Sequence, residues 1–228
     1  MLKKYKPQGW WPIINNQTFQ SEYHVGAPSN GDDVFEICIG AILTQGVSWE
    51  NANKSLILLK KSGHFSPNGL LSLSNEELGN LIRSTGYFNQ KAKKIKNFIN
   101  WAEKYNFPNL NIIKKDLHQL RNELLKINGI GPETADSILL YALSKKIFVI
   151  DAYTIRIFKR IGIITGKEKY EKIQGLFHDN FNGNINDYRE YHALIVAHCK
   201  VSCRTIKQLK KKNSCIVCSL NNICKQNI

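Results

Sequence analysis

Residues 124–151 read LLKINGIGPETADSILLYALSKKIFVID. Gly129-Ile130-Gly131 places two glycines around one apolar residue, which permits positive φ and close backbone approach in a tight turn. Pro132 follows at a position that needs no N–H donor and opens a helix through Glu133, Thr134 and Ala135. The spacing predicts that this helix runs to about Leu143, with Ala135, Ile138, Leu139 and Ala142 on one face. Phe148-Val149-Ile150 is apolar and leads into Asp151, 18 residues after Glu133 and at the start of another helical pattern. N–H groups at a glycine turn before a helix offer a site for one phosphate. Taken alone, the stretch also suits an ordinary pair of antiparallel helices whose glycines only cap.

The rest of the chain narrows the choice. Its 228 residues suffice for a sizeable core in one or two domains. The formal net charge of +14 points to a polyanionic partner and leaves nucleic acid and anionic membrane open. No apolar run approaches the ~20 residues of a membrane span. The lysines of residues 1–12 precede no apolar core of a secretory signal, so the expected location is cytoplasmic.

Outward from the hairpin, the patterns are helical. Gly9-Trp10-Trp11-Pro12 locks two large aromatics ahead of the first long helix. Val34, Ile37, Cys38, Ala41 and Ile42 recur at helical spacing, and Thr44-Gln45-Gly46-Val47 breaks that run before Ser48 caps the next helix. Ser74 and Glu77 have capping-box spacing. In Gly86-Tyr87-Phe88-Asn89-Gln90-Lys91-Ala92-Lys93-Lys94-Ile95, Ala92, Ile95 and Phe98 face inward, which leaves Lys91, Lys94 and Lys96 for solvent or phosphate. Helices are expected over 153–163, 167–181 and 187–197. Only Ile147 to Ile150 has the character of a strand, so the fold class is all-α.

Five of the six cysteines lie within residues 199–224. Such clusters bind metal in a reducing cytosol more often than they form disulfides. Cys203-x11-Cys215-x2-Cys218-x5-Cys224 sets two thiols on one tight turn between two flanking ones. By chemistry alone, these four could hold Zn²⁺ or a [4Fe–4S] cluster.

The stretch from Leu125 to Asp151 resembles the helix-hairpin-helix and aspartate signature of the endonuclease III superfamily of DNA base-excision glycosylases. The elements Leu43-Thr44-Gln45 and Gly86 to Ile95 resemble further motifs of that superfamily. The resemblance implies a two-lobed helix-hairpin-helix glycosylase fold with a C-terminal [4Fe–4S] loop. One lobe is expected over residues 33–145, and the other joins 1–32 to 146–228. The implied partner is double-stranded DNA carrying a damaged base, bound by a monomer in the nucleoid. Asp151 takes the role of the catalytic carboxylate. Gly129, Ile130 and Gly131 form the hairpin, with a monovalent cation as a further implied ligand there. Gln45 enters the DNA stack, while Lys91, Lys93 and Lys94 contact DNA. Cys203, Cys215, Cys218 and Cys224 hold the cluster. The gap of 11 residues after Cys203 exceeds the usual six, and Cys199 stands where a glycine is usual.

Bifunctional members of the superfamily carry a Schiff-base lysine where this chain has Glu133, which implies a monofunctional enzyme. A subgroup that releases 3-methyladenine shares this departure, together with Trp-Trp-Pro, Leu-Thr-Gln and Gly-Ile-Gly-x-Glu elements, although it lacks the cysteine loop. Its pattern implies a base pocket of Trp10, Trp11, Pro12 and Trp49, in which a cationic purine stacks between Trp49 and the Trp10/Trp11 pair. A lyase acting on oxidised pyrimidines and a non-catalytic DNA-binding module are the alternatives.

Overall fold

The structure is a computed structural model that describes residues 1–204, 215 and 218–225. The chain divides into two compact units, residues 11–145 and residues 1–10 with 146–228.

The 11–145 unit is built around one helix. Its first elements are two short strands, β1 (Ile13–Ile14) and β2 (Ser21–Glu22), paired antiparallel with Ile13 opposite Glu22. Helix α2 (Gly31–Leu43) starts at Asn30, whose side chain accepts from the Asp33 N–H, and is buried from Val34 to Leu43. A helix apolar all round belongs inside a domain. Around it lie α3 (Trp49–Lys61), α4 (Pro67–Ser72), α5 (Asn75–Leu81), α6 (Phe88–Glu103), α7 (Leu117–Leu125) and α8 (Pro132–Ser137). The caps expected at Ser48 and at Ser74 with Glu77 are present. Helix α8 continues as a wide turn over Ile138–Ala142, closed by a bond from the Leu143 N–H to the Ile138 carbonyl at 2.9 Å.

Residues 11–32 pack with this unit and not with the C-terminal lobe expected for them. The cause lies in α2. Gly40 has no side chain, so Trp11 settles against it; a Cβ there would lie 3.0 Å from the indole nitrogen. One turn earlier, the buried Glu36 carboxylate accepts from the Ile14 N–H at 2.6 Å and pairs with Lys60 of α3. Lys60 also donates to the Ile14 carbonyl. One buried ion pair thus ties β1, α2 and α3 together. Burial raises the Glu36 carboxyl above its ordinary value despite Lys60 and the Ile14 N–H, so the pair is a device of position more than of stability.

In the other unit, Tyr5, at the end of α1 (Leu2–Tyr5), shares its hydroxyl with His198 Nδ1 at 2.9 Å. The remaining helices are α9 (Ala152–Arg160), α10 (Tyr170–Asn180) and α11 (Ile185–Val201). An aromatic core of Phe148, Phe177, Tyr188 and Tyr191 joins α10 and α11 to the segment before α9, with the Phe148 and Phe177 rings stacked 3.5 Å apart at 8°. Ile147 to Ile150, read as strand-like, are buried and outside any helix or strand, with no strand beside them among the described residues. No described helix is long and apolar enough to cross a membrane.

Candidate active site

The hairpin forms as its sequence requires. Helix α7 ends at Leu125, and the Ile130 N–H returns to the Ile127 carbonyl at 3.0 Å. Gly129 has φ +93°, a conformation that L side chains rarely adopt, and a Cβ on it would also run into the stem of Lys94 at 2.4 Å. Gly131 caps α8, and Pro132 occupies its first turn. Arg121 of α7 closes the hairpin with a two-pronged bond to the fully buried Asp136 of α8, at 2.7 and 3.1 Å. Glu133 stands exposed on the first turn of α8.

Gln45 lies against this hairpin. Its amide nitrogen donates to the Gly129 carbonyl at 3.0 Å and to the Thr134 hydroxyl at 2.9 Å. Lys94 donates to its amide oxygen at 2.6 Å. Lys93 is exposed and Lys94 half-buried. Lys91 departs from its expected place in solvent: it is 2% exposed, and its ammonium donates to the carbonyls of Leu43 at 2.8 Å and Thr85 at 2.9 Å. The last carbonyls of α2 lack helical partners, and a lysine on the neighbouring helix supplies one. Burial, with the Lys94 charge nearby, pushes Lys91 down to about 8. Lys91 therefore anchors the loops that follow α2 and precede α6. Lys96 likewise spends its ammonium on the Leu73 carbonyl.

Trp11 and Trp49 come together but leave no slot between them. Both are buried, and their rings meet edge to face at 5.6 Å between centroids, with Tyr141 on Trp11 in the same manner. A base cannot stack between these two rings as they stand, because a sandwich needs two facing planes with a gap. Trp10 is half-exposed and Pro12 is buried.

Asp151 is 7% exposed and caps α9, accepting from the Thr154 N–H at 2.7 Å. Its second oxygen faces His192 Nε2 of α11 at 3.4 Å. Burial acts to raise this carboxyl, but His192 and then Thr154 outweigh it, and the group lies below its ordinary value. It is a carboxylate at neutral pH, buried yet ionised. Sequence reading missed His192. The only signal was its place on the buried face of α11 with Tyr188, Ile195 and Cys199, where most helices carry an apolar residue.

The cysteines lie in the same unit as Asp151. Cys203 is buried and receives a bond from Arg160 at 2.9 Å. The Cys199 thiol above all, and then Arg160, hold the Cys203 thiol down to about 6 against burial. The Cys218 sulfur lies 3.3 Å from His198 Nε2 and accepts from the Leu220 N–H at 3.4 Å. Burial, and then the charge of Cys218, raise the Cys215 thiol above its ordinary value. Among the described residues, no three Cys, His, Asp or Glu side chains converge closely enough to hold one metal ion. In chemistry, the donors suit a thiolate-bound group: four thiols, one of them favoured as thiolate by an arginine. Cys199, raised by its bond to Cys203 and by burial, donates to the Tyr153 carbonyl at 3.6 Å. The basic stretch from Lys207 to Lys212 lies outside the described residues.

Known proteins resemble this chain over much of its length. Residues 39–182 match the HhH-GPD superfamily of base excision DNA repair proteins. A protein of Methanocaldococcus jannaschii, provisionally named a DNA repair glycosylase, is 40% identical over 226 residues, covering 98% of this chain and 92% of the relative. Endonuclease III of Sulfolobus acidocaldarius is 30% identical over 213 residues, 93% of this chain and 89% of the relative. The crystal structure of H. pylori 3-methyladenine DNA glycosylase bound to 1,N6-ethenoadenine superposes with a TM-score of 0.65 and 27% identity, over 77% of this chain and 90% of that one.

Proposed function

The chain belongs to the HhH-GPD superfamily of base excision DNA repair proteins, and on that footing we propose that it is a monofunctional DNA glycosylase that releases an alkylated purine such as 3-methyladenine. The observation that carries this reading is Glu133, exposed on the first turn of α8 where bifunctional relatives keep a lysine. A glutamate cannot form a Schiff base with the opened sugar, so water must take the sugar carbon. The likeness to the H. pylori glycosylase, a protein seen with a modified adenine, supports the substrate class.

Hydrolysis breaks the bond between the base and C1′ of the sugar through an oxocarbenium-like state. The Asp151 carboxylate stabilises that cation or orients the attacking water; the bonding pair leaves with the cationic purine, which departs neutral, while water gives C1′ a hydroxyl and releases its other proton to solvent. The base first leaves the duplex at a cost of a few kcal/mol. Gln45, released from the hairpin, fills the stack; Lys93, Lys94 and the glycine turn hold phosphate; Trp10 supplies an aromatic face for the base. The protein acts as a monomer on DNA in the cytoplasm.

A second reading, a lyase acting on oxidised pyrimidines, is favoured by the length over which the chain matches an endonuclease III. A panel of duplexes, each carrying one lesion, separates the two when assayed with and without alkali and with borohydride trapping. The expected result is release of an alkylated purine, cutting only after alkali, and no trapped adduct. Trapping at the rate of base release would establish the lyase. Binding without release of any base would leave a DNA-binding module.

Cys203, Cys215, Cys218 and Cys224 would hold a [4Fe–4S] cluster. Such a cluster supplies a structural cross-link for the C-terminal segment and no chemistry at the sugar. Protein purified without oxygen is expected to be brown and to contain iron, and Cys215→Ser to lose both. Stoichiometric zinc without iron would overturn the assignment.

A further inference from the structure

The segment that delivers Asp151 is held in an unusual way. Ile147, Phe148, Val149 and Ile150 are each at most 4% exposed. Buried backbone groups need partners, and an extended segment normally finds them on a neighbouring strand. Here α10 provides them with side chains. The Phe148 N–H donates to His178 Nε2 at 3.1 Å, Gln174 Nε2 donates to the Phe148 carbonyl at 2.6 Å, and the Ile150 N–H donates to the Tyr170 hydroxyl at 3.2 Å. Residues 170, 174 and 178 lie on successive turns and so on one face of α10. The segment runs opposite to the helix, with its earlier residue at the later turns. The Phe148 ring, stacked on Phe177, prevents sideways slip.

We propose that Tyr170, Gln174 and His178 are positioning residues that set the register of this segment against α10 and thereby aim the Asp151 carboxylate. A shift of one residue moves an extended chain by about 3.3 Å and turns every side chain to the opposite face. Without the three bonds, the apolar run Ile147 to Ile150 could slide in its apolar surroundings, since such side chains fit at more than one register. The polar side chains choose one, and Asp151 then meets the Thr154 N–H and His192. His178 accepts at Nε2, which assigns its ring proton to Nδ1. This proposal rests on the reading of Asp151 as the acting carboxylate, and its test keeps the two apart.

The test uses the full chain with Tyr170→Phe, His178→Leu and His178→Gln. Tyr170→Phe removes one acceptor and keeps the ring, and glutamine offers an oxygen near the place of Nε2. The first readout, amide exchange, needs no substrate. Tyr170→Phe and His178→Leu should speed exchange at Thr154, whose N–H the aimed carboxylate holds, on the order of tenfold. Amides of α2 should be unaffected, and His178→Gln should restore protection. The second readout is single-turnover release on the duplex cleaved in the lesion panel. The same two variants should lose about 10–100-fold in rate, as a misplacement near 1 Å does, with affinity for abasic-site DNA unchanged. Unchanged Thr154 exchange in Tyr170→Phe would overturn the proposal, whatever the lesion. So would a loss that His178→Gln leaves uncorrected. If Asp151→Asn is inactive while the α10 variants release base normally, the positioning role fails alone; if Asp151→Asn is active, the reading beneath it fails.

Discussion

Asp151→Asn lowers the rate of base release by about 10³-fold or more, the loss expected when a fixed charge aimed at a developing cation is removed. Folding is spared, because an asparagine also caps a helix and can still accept from the Thr154 N–H. Affinity for an abasic-site duplex should therefore stay near wild type, and the loss should fall on the chemical step. Single-turnover kinetics and binding, measured side by side, check this; a near-wild-type rate would remove Asp151 from its role. The pH profile carries the same argument further. Burial raises the carboxyl, His192 and Thr154 lower it, and it ends below the ordinary aspartate value. A depressed carboxyl stabilises the fold fully above its unfolded value, and that contribution is lost as pH falls through the folded value. Loss from this source therefore begins only below about pH 4. His192→Gln takes away the leading influence that opposes burial, so the acid limb of the rate profile should move to higher pH.

Arg121→Met is expected to cost about 3–5 kcal/mol, because it takes the arginine charge away from a carboxylate that has no exposure to water. For a chain of this size, that corresponds to a fall in Tm of about 6–20 °C. The same bond joins the two helices of the hairpin, so DNA affinity should fall with stability. Arg121→Met combined with Asp136→Asn should recover part of the loss, since the buried carboxylate charge is removed together with the arginine. Thermal unfolding of the three variants decides. A single variant as stable as one with an exposed lysine replaced, such as Lys93→Met, would show that the pair contributes little.

The sequence by itself determined what neighbours within four residues decide. The glycine turn at 129–131, Pro132 on the first turn of α8, and the caps at Ser48 and Ser74 stand where the local pattern puts them. A cap or a turn is a bond between residues that the chain cannot separate, so its signature survives in the order of residues. Helical spacing likewise announced an all-α fold, and the hairpin with Asp151 announced its superfamily. Periodicity also assigned Lys91 to the surface, and there it failed: the partner that draws its ammonium inward, the Leu43 carbonyl, is 48 residues away. The same limit hid the Asp136 bond to Arg121, the placement of residues 11–22 on α2, and His192 beside Asp151. It also hid how Ile147 to Ile150 can be buried outside any helix or strand among the described residues, since the partners lie on a helix that begins 20 residues later. Each of these is a polar group whose burial is tolerated only because a distant group meets it. Tertiary structure alone decides such pairs, because the cost of burying a charge or an N–H is set by what the fold brings within hydrogen-bonding reach of it, and residue type does not record that.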